Sequence, residues 1–515
     1  MKCVLSNISA ALVLGAISFQ PALAQQGADL VKQAVDAQGG ASALRALNGL
    51  SIKADAKHWE PGQSYAPGGE PRFLGDSAIA VTWDVAKGTA RTEWNRDMKY
   101  PFAEKIKFTE TVLPTFGIVT NDKGRQPMSG IRVASLQREL GRTSPALLVK
   151  ALDNPQSISA LPDQKLGERS LPAVSINDRG MRYTVLFDPA TKLPAAIRTR
   201  DDDHVLGDSN YDVILSDWRA VGGAKLPYSQ SFQLNGVEVQ RITYKDIAAN
   251  PTIAADTFAV SDSFKVAASA AAAQDVPYQW VLRRMFLGRF LDSDKVLAPA
   301  DGGLKLVELA PNVQQVVGGS ANDLIVAMKD GLVIFDAPVS ELQSRWVIDA
   351  AKAKYPGKPI KYLVLTHHHM DHIGGTRTYV AEGATVIVPS QAKAYFEKVL
   401  AAPHTVAPDA LQKQAKPLVL ETVADTRSLK DDTVEIRLHN IPSPHADGMI
   451  IGHVVQPNIV WVTDIWSPGR DAPRNPNTLA LAEAVKKIGI KDATFAGGHG
   501  SSAKQSVLET AVAQN

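Results

Sequence analysis

The pattern of apolar and polar residues changes twice along this chain of 515 residues. In the segment 28–50, Leu30, Val31, Ala34 and Val35 recur at helical spacing, and two glycines interrupt the helix at 39–40. Short apolar runs separated by turn residues follow, which predicts antiparallel strands. The runs are 79–83, 106–108, 183–187, 213–215 and 242–244. The pattern therefore predicts an N-terminal helix followed by a mostly antiparallel β domain.

The second change follows an alanine-rich segment, 266–273, and an amphipathic helical pattern over 278–286. We place a domain boundary near residue 270. From about Leu304 onward, buried strand-like runs alternate with helical segments, which predicts an α/β layered domain. The strand-like runs are 313–317, 323–328, 332–335, 362–365, 385–388, 434–438, 459–462 and 494–496; the helical segments are 341–354, 391–416 and 479–488.

The first residues have the pattern of a secretory signal peptide. A basic Lys2 precedes an apolar run over 10–17, and Ala22-Leu23-Ala24 forms a small-residue cleavage site. We therefore predict a signal peptide over 1–24, a β-rich domain over 25–265, a linker with an amphipathic helix over 266–300 and an α/β domain over 301–515. The expected location is the periplasm or the medium.

Cysteine usage and charge exclude several classes of function. The one cysteine, Cys3, lies in the predicted signal peptide, so the mature chain has no disulfide, thiolate nucleophile or cysteine metal ligand. The composition, 45% hydrophobic and 21% charged with a net charge of +2, is that of an ordinary globular protein without a basic face for nucleic acid. Beyond the signal, no apolar stretch is long enough for an integral membrane segment.

Ligand-capable side chains cluster after residue 360, where nine of the eleven histidines lie. An apolar run ending at Leu365 is followed by an H-x-H-x-D-H motif, and further such residues follow later strands or turns. The seven candidate metal ligands are His367, His369, Asp371, His372, His445, Asp464 and His499. Imidazole and carboxylate are preferred ligands of zinc and similar ions, and a catalytic zinc uses three protein ligands. Seven candidates suit two ions that share one carboxylate.

This ordered set resembles the metallo-β-lactamase superfamily over about residues 310–500. The strand from Gly331 to Asp336 is similar to that family's opening motif. The resemblance implies an αββα sandwich with its metals at one edge of the two sheets. The N-terminal β domain resembles the curved sheet of periplasmic lipoprotein carriers.

The resemblance also implies a role for each candidate. His367, His369 and His445 would hold the first ion; Asp371, His372 and His499 would hold the second; Asp464 would bridge them. Asp336 would orient the histidine loop. The expected cofactor is two Zn²⁺, with iron or manganese as alternatives. A hydroxide between the ions would attack the substrate, and Asp371 would be the catalytic residue that accepts its proton.

We therefore expect an exported dinuclear zinc hydrolase that cleaves an ester, lactone or amide-type bond in a small molecule. Asp464 and the lack of cysteine favour the lactonase, glyoxalase II-like, arylsulfatase-like and phosphodiesterase branches. Two alternatives are a mononuclear iron sulfur dioxygenase and a periplasmic binding or carrier protein with an inactive metal domain. The N-terminal domain would bind apolar material, cup the active site or form a homodimer.

The other candidates in this half receive structural interpretations. His368 would line the pocket or support a ligand, and Trp466 suits a pocket floor and the core equally well. We expect structural roles for His404, His439 and His453, and a turn at Asp447.

Overall fold

The protein is described here by a computed structural model that covers residues 19–267, 277–287, 303–470 and 472–513. Most of the predicted signal peptide and most of the alanine-rich segment, with the boundary near residue 270, lie outside the described residues. The predicted domain limits therefore stay predictions.

The N-terminal part is built on one antiparallel sheet of thirteen strands. The strands are β1 (Gly49–Glu60), β2 (Arg72–Asp84), β3 (Thr89–Met98), β4 (Glu104–Val112), β5 (Gly117–Asn121), β6 (Gly124–Pro127), β7 (Ile158–Leu166), β8 (Arg169–Asp178), β9 (Met181–Phe187), β10 (Pro194–Asp203), β11 (Gly207–Val221), β12 (Ala224–Leu234) and β13 (Val237–Ala249). Their order is β6-β5-β4-β3-β2-β1-β13-β12-β11-β10-β9-β8-β7. The first and last strands in sequence are thus neighbours at the centre of the sheet.

Strand β1 shows why the sequence forms this sheet. Ile52, Ala54 and Ala56 are buried, whereas the intervening Lys53 and Asp55 are exposed. Successive side chains of a strand point to opposite faces, so this alternation buries one face of the sheet and leaves the other in water.

Six helices accompany the sheet: α1 (Phe19–Ala37), α2 (Ala41–Arg45), α3 (Gly130–Arg142), α4 (Leu147–Asp153), α5 (Asp262–Ala267) and α6 (Tyr278–Leu287). Helix α6 buries Trp280 and Phe286 against the sheet. Arg96 of β3 donates hydrogen bonds to the carbonyl oxygens of Met285 and Phe286, at 3.0 and 2.7 Å. A cation at this end of a helix satisfies its free carbonyl groups and its dipole, so it fixes α6 on the sheet.

The C-terminal part contains two further sheets and their helices. The first sheet, in spatial order, consists of β14 (Lys305–Ala310), β15 (Val313–Val317), β16 (Asp323–Ala327), β17 (Leu332–Phe335), β18 (Ile360–Val364), β19 (Thr385–Pro389) and β20 (Leu420–Val423). The second consists of β21 (Thr426–Lys430), β22 (Glu435–Ile441), β23 (Met449–Val454), β24 (Ile459–Val462), β25 (Thr494–Gly497) and β26 (Ser502–Lys504). The helices are α7 (Glu341–Lys354), α8 (Met370–Ile373), α9 (Thr376–Glu382), α10 (Lys393–Leu400), α11 (Ala410–Lys413), α12 (Pro476–Ile488) and α13 (Gln505–Ala513).

These two sheets face each other across one apolar core. Val333 and Val364 of the first sheet share a buried cluster with Ile450 and Trp461 of the second. On the outer faces, Val347 of α7 lies in the core next to the first sheet, and Leu481 of α12 packs with residues of the second. The predicted αββα sandwich, preceded by an antiparallel β region with an N-terminal helix, is confirmed.

Single elements show where the pattern succeeded and where it was incomplete. The helix predicted over 341–354 has those bounds, and the helix over 278–286 extends by one residue. The helical segment 391–416 is instead two short helices, α10 and α11, and α3 was not predicted as a helix. Within the described parts of the chain, no helix combines the length and apolar character needed to cross a bilayer.

Candidate metal centre

The candidate ligands lie at one edge of the sandwich because of the direction of its strands. β17 runs parallel to β18, and β24 runs parallel to β25. Asp336 follows β17, His367 lies just beyond β18, Asp464 follows β24 and His499 follows β25. Parallel strands have their carboxyl ends at the same edge of a sheet, where such folds place their sites. His445, in the loop between β22 and β23, completes the group.

Asp336 holds the histidine loop in place. Its Oδ1 accepts hydrogen bonds from the backbone N–H of Thr366 at 2.9 Å and from the Thr366 hydroxyl at 2.8 Å. Its other oxygen, Oδ2, lies 3.6 Å from Nδ1 of His372. The carboxylate therefore orients the segment that carries the motif, as the resemblance implied.

Asp464 lies between the two sets of histidines. Its Oδ2 is 3.2 Å from Nε2 of His367 and 3.1 Å from Nε2 of His445. Its Oδ1 is 2.9 Å from Nε2 of His499 and 3.2 Å from Nε2 of His372. Nε2 of His372 is equally close to Oδ2, at 3.2 Å. The carboxylate thus lies within reach of histidines of both sets, which is the position that a bridging ligand requires.

The structure brings all seven predicted ligands together in two overlapping groups. One group is His367, His369, His445 and Asp464; the other is Asp371, His372, Asp464 and His499. Within each group the ligand atoms lie within 4.8 Å of one another. The grouping has the division that the resemblance implied, whereas the binding of ions by these residues stays a prediction.

The donor atoms fit divalent ions. Nδ1 of His369 is buried and has no hydrogen-bond partner among the described residues. Nε2 of His367 and of His445 are also buried, and although they lie 3.2 and 3.1 Å from Oδ2 of Asp464, they lack the geometry of a hydrogen bond. Buried polar atoms without partners are rare and call for an explanation. A cation between these nitrogens and the Asp464 carboxylate would satisfy all three.

The electrostatics of the site favour neutral imidazoles at His367 and His369 and a charged carboxylate between the groups. Burial lowers the pKa of His367, and it lowers the pKa of His369 well below its usual value. Burial opposes the charge of Asp464, but His372 and His499 outweigh it and hold the pKa of that carboxyl well below its usual range. Neutral imidazole and ionised carboxylate are the forms that bind metal ions.

The N-terminal region also reaches the site, through the segment between β1 and β2. Nε2 of Gln63 donates a hydrogen bond to Oδ1 of Asp371 at 2.6 Å, and the hydroxyl of Tyr100 donates to Oε1 of Gln63 at 2.8 Å. Burial and the carboxylates of Asp464 and Asp371 raise the pKa of Tyr100, so its hydroxyl keeps its proton. The carbonyl oxygen of Ser64 lies 3.0 Å from Nε2 of His369. Sequence reasoning missed these residues, since no motif marks them.

The remaining candidates have structural contacts. His368 lies outside both ligand groups, and its Nε2 is 2.9 Å from the carbonyl oxygen of Ser64. Trp466 is buried beside Phe495, at 5.3 Å between ring centroids, and belongs to the core. His404 pairs with Asp202, His439 with Thr426 and His453 with Asn458. Asp447 donates its backbone N–H to the carbonyl oxygen of Tyr65.

Part of the chain matches a known family. Residues 317–499 match the model of the metallo-beta-lactamase superfamily. The matched segment begins at the end of β15 and ends at His499, so it contains every candidate ligand.

Curated relatives match over a short segment. A linear primary-alkylsulfatase from Pseudomonas sp. is 35% identical over 78 residues, which are 15% of this chain and 12% of that protein. An (R)-specific secondary-alkylsulfatase from Pseudomonas sp. is 36% identical over 78 residues, again 12% of its length. This chain therefore matches only a small fraction of these relatives.

Solved structures match over less than half of the chain. A stereoselective inverting sec-alkylsulfatase from Pseudomonas sp. has 22% identity and a TM-score of 0.32, and the match covers 41% of this chain and 40% of that one. A metallo-beta-lactamase from Hirschia baltica has 18% identity and a TM-score of 0.31, with 41% and 96% covered.

Proposed function

Because residues 317–499 form a domain of the metallo-β-lactamase superfamily, we propose that this protein is a metal-dependent hydrolase with two adjacent divalent ions, most simply zinc. The observation that carries the proposal is the position of Asp464, which belongs to both groups of ligand-capable side chains and whose carboxylate lies within 3.2 Å of histidine nitrogens from each. A single ion would leave one of these sets, with its buried imidazoles, without a function.

Each residue of the site has its own role in hydrolysis. Bound ions would supply Lewis acidity and lower the pKa of a water molecule to near neutrality. The imidazoles and Asp464 hold the charge of the centre in place. Asp371, at the edge of the second group and 3.8 Å from His372, orients the attacking water and accepts its proton. The loop residue Asp336 keeps the motif rigid, as a preorganised site requires.

We propose an ester-type bond as the substrate, with a sulfate ester as the first candidate. The support is the local similarity to alkylsulfatases, which covers 78 residues. Carboxylic esters, lactones and amides are the other substrates that a polarised water in this centre could attack.

The test is elemental analysis of the purified full chain, followed by assays on alkyl sulfates, carboxylic esters, lactones, β-lactams, thioesters and phosphodiesters. We expect about two zinc ions per chain and turnover of at least one class, as two adjacent ligand sets require. Activity on alkyl sulfates would support the first candidate. A purified chain without bound metal and without turnover would contradict the proposal.

Two outcomes would favour the alternatives. One iron per chain, with oxygen consumed in the presence of a persulfide, would indicate a sulfur dioxygenase. A metal-free chain that binds lipid tightly would indicate a carrier.

We also propose export after cleavage behind Ala24, and a small molecule as the partner. Amino-terminal sequencing of the protein recovered from the periplasm or medium should begin at Gln25. Retention of the full-length chain in the cytoplasm would contradict export.

Sedimentation equilibrium tests the homodimer, for which twice the chain mass is expected.

A further inference from the structure

We propose that residues 61–72, the connection between β1 and β2 together with the first residue of β2, are a built-in part of the metal centre, with Gln63 as the positioning residue of Asp371 and the Ser64 carbonyl as that of His369. This inference rests on the proposed metal-dependent function and assigns part of it to the N-terminal region. The family match begins at residue 317, so these residues lie far outside it.

Gln63 controls which oxygen of Asp371 is free. Its Nε2 occupies Oδ1 of the carboxylate, at 2.6 Å, while Oδ2 is the oxygen that faces His372, at 3.8 Å. The amide is itself held by the Tyr100 hydroxyl, and its side chain is only 2% exposed. A carboxylate that is held through one oxygen already points its other oxygen at the second ligand group. Binding of an ion there would then cost no further rotational freedom of the Asp371 side chain.

The Ser64 carbonyl controls the tautomer of His369. A carbonyl oxygen only accepts, so Nε2 of His369, 3.0 Å away, must carry the proton. Nδ1 is then the free lone pair, and it is the buried nitrogen that has no partner among the described residues. The main chain of the segment thus prepares His369 to bind an ion through Nδ1.

Further contacts fix the segment against the histidine motif. Arg72 donates Nε to the carbonyl oxygen of Gln63 at 2.8 Å and Nη2 to that of His445 at 2.9 Å. It therefore connects the segment to the loop that carries a ligand. Gly62 lies so close to Met370 that an added Cβ would be 2.8 Å from the Met370 Cβ. At the start of the segment, Glu60 accepts the backbone N–H of Gly62 at 2.8 Å and pairs with Arg283.

The test replaces Gln63 with methionine, which keeps the length of the side chain but removes both hydrogen bonds. The full chain is stripped of metal and titrated with Zn²⁺ against a chromophoric chelator, so that binding is read without any substrate. We expect the wild type to bind two ions and the Gln63→Met variant to bind one ion normally and the other about 10- to 100-fold more weakly. Tyr100→Phe, which leaves the Gln63 amide in place, should weaken the same ion less.

The matched control is Gln137→Met in helix α3. The Gln137 amide likewise makes two hydrogen bonds, although it donates both, to the carbonyl oxygens of Gly88 and Leu113 at 2.9 and 3.0 Å, within the N-terminal part. The Gln137→Met variant should have a lower unfolding temperature, with the affinity for each of the two zinc ions unchanged. If wild type binds two ions and Gln63→Met binds both equally well, the positioning role is wrong while the proposed function stands. If the wild type binds no zinc, the proposed function itself fails.

A second variant tests the His369 side of the segment. Arg72→Met removes the contacts to Gln63 and His445, and we expect about tenfold weaker binding of the ion held by the first ligand group. Nitrogen NMR shifts of His369 in the metal-free chain should show the Nε2–H form in the wild type. The Nδ1–H form in the wild type would overturn the role of the Ser64 carbonyl.

Discussion

Asp464 has an unusual backbone conformation, and its charged carboxylate lies at the centre of the site. Its φ of 61° lies in the left-handed region, which costs energy for residues other than glycine and is best tolerated by aspartate and asparagine. Asp336 has the same feature, with φ 64°. Asp336 follows β17 directly and Asp464 follows β24 after one residue, and each turn directs the carboxylate towards the edge of the sandwich. Two such residues at strand ends of the two facing sheets indicate a site rather than an ordinary turn.

We predict that Asp464→Asn keeps the fold but loses the second ion. Asparagine tolerates the backbone, whereas its neutral amide cannot balance two cations or bridge them. Turnover on the best substrate should fall about 100-fold or more, and the zinc content should fall to about one per chain. The matched control is Asp492→Asn, an exposed aspartate with φ 56°, which should change neither. Full activity of Asp464→Asn would contradict the bridging role.

His58 should make the protein less stable in weak acid. Its ring stacks on Phe286 at 3.8 Å, and burial holds the pKa of His58 well below its usual value. The unfolded chain therefore takes up this proton below about pH 6.5 while the folded chain does not, so the free energy of unfolding falls as the pH falls below that value. One such group contributes up to about 1.4 kcal/mol per pH unit.

Denaturant unfolding of the wild type and His58→Phe between about pH 7 and pH 5 measures this contribution. The variant should show the smaller pH slope. Ser77→Ala is the control, because it removes the 2.9 Å contact with Nε2 of His58 but leaves the ring in place. If the free energy of unfolding has the same pH slope in the wild type and in His58→Phe, the folded state does not exclude the proton from His58, and the prediction is wrong.

The site could be predicted from the sequence only where side chains follow recognisable strands. His367, Asp464 and His499 each come after an apolar run, and the strand directions then bring them together. Gln63 is 308 positions from Asp371, in a turn-like segment with no metal-binding residue type. The contribution of Ser64 comes from its main chain, which every residue possesses. The roles of the Gln63 side chain and of the Ser64 carbonyl therefore become visible only in the folded structure.

At the scale of elements, α6 is anchored by a buried charge network. Arg283 pairs with Glu60 of β1 and, at 2.7 Å, with Asp203 of β10. It also contacts the Gln279 side chain at 2.7 Å. All four side chains are buried. The helix thereby joins the strand that precedes the segment 61–72 to the strand that ends beside the C-terminal part.

We predict that Arg283→Met lowers the free energy of unfolding by about 3–5 kcal/mol. Removing one partner leaves two buried carboxylates without a counter-charge. The measurement is urea-induced unfolding followed by circular dichroism. Arg345→Met, which breaks an exposed pair with Glu341 on α7, is the control and should cost less than about 1 kcal/mol. If the two variants lose similar amounts of the free energy of unfolding, the buried network stabilises the fold no more than an exposed ion pair does.

The same kind of pairing explains why α3 was not predicted. Its buried side includes Arg132 and Arg138, which pair with Glu110 and Asp201. Charged residues on the inner face depart from the rule that the polar positions of a helix face water, so the pattern does not show which side of α3 is buried. Strands such as β17 and β24 were predicted easily, because burial on both faces gives an uninterrupted apolar run.

At the scale of the whole molecule, the N-terminal sheet and the sandwich meet at a second place. The start of β11 contacts residues 402–406, where Asp208 accepts the backbone N–H groups of Thr405 and Val406 at 2.7 and 2.9 Å. His204 lies 2.6 Å from the carbonyl oxygen of Val339. Together with the segment 61–72, these contacts hold the two parts on both sides of the histidine motif.

Zinc should therefore stabilise the chain beyond the sandwich itself. A ligand that binds only the folded state adds about 4 kcal/mol at a thousand times its dissociation constant. We expect zinc to raise the unfolding temperature of the stripped protein and to slow hydrogen exchange of residues 61–72, measured by calorimetry and mass spectrometry. The temperature rise should be smaller in Gln63→Met. Exchange in this segment that does not respond to zinc would contradict the coupling between the two parts.

The position of β1 between β2 and β13 has a consequence for the order of assembly. During synthesis β2 is available to β1 at once, but the other flank stays open until Val237–Ala249 has left the ribosome. Until then β1 presents a bare hydrogen-bonding edge, which is the kind of surface that chaperones protect and that aggregates form on. The segment that touches the histidines leaves the end of that same strand, so the ligand pocket acquires its final shape only after the first and last strands of the N-terminal sheet have paired.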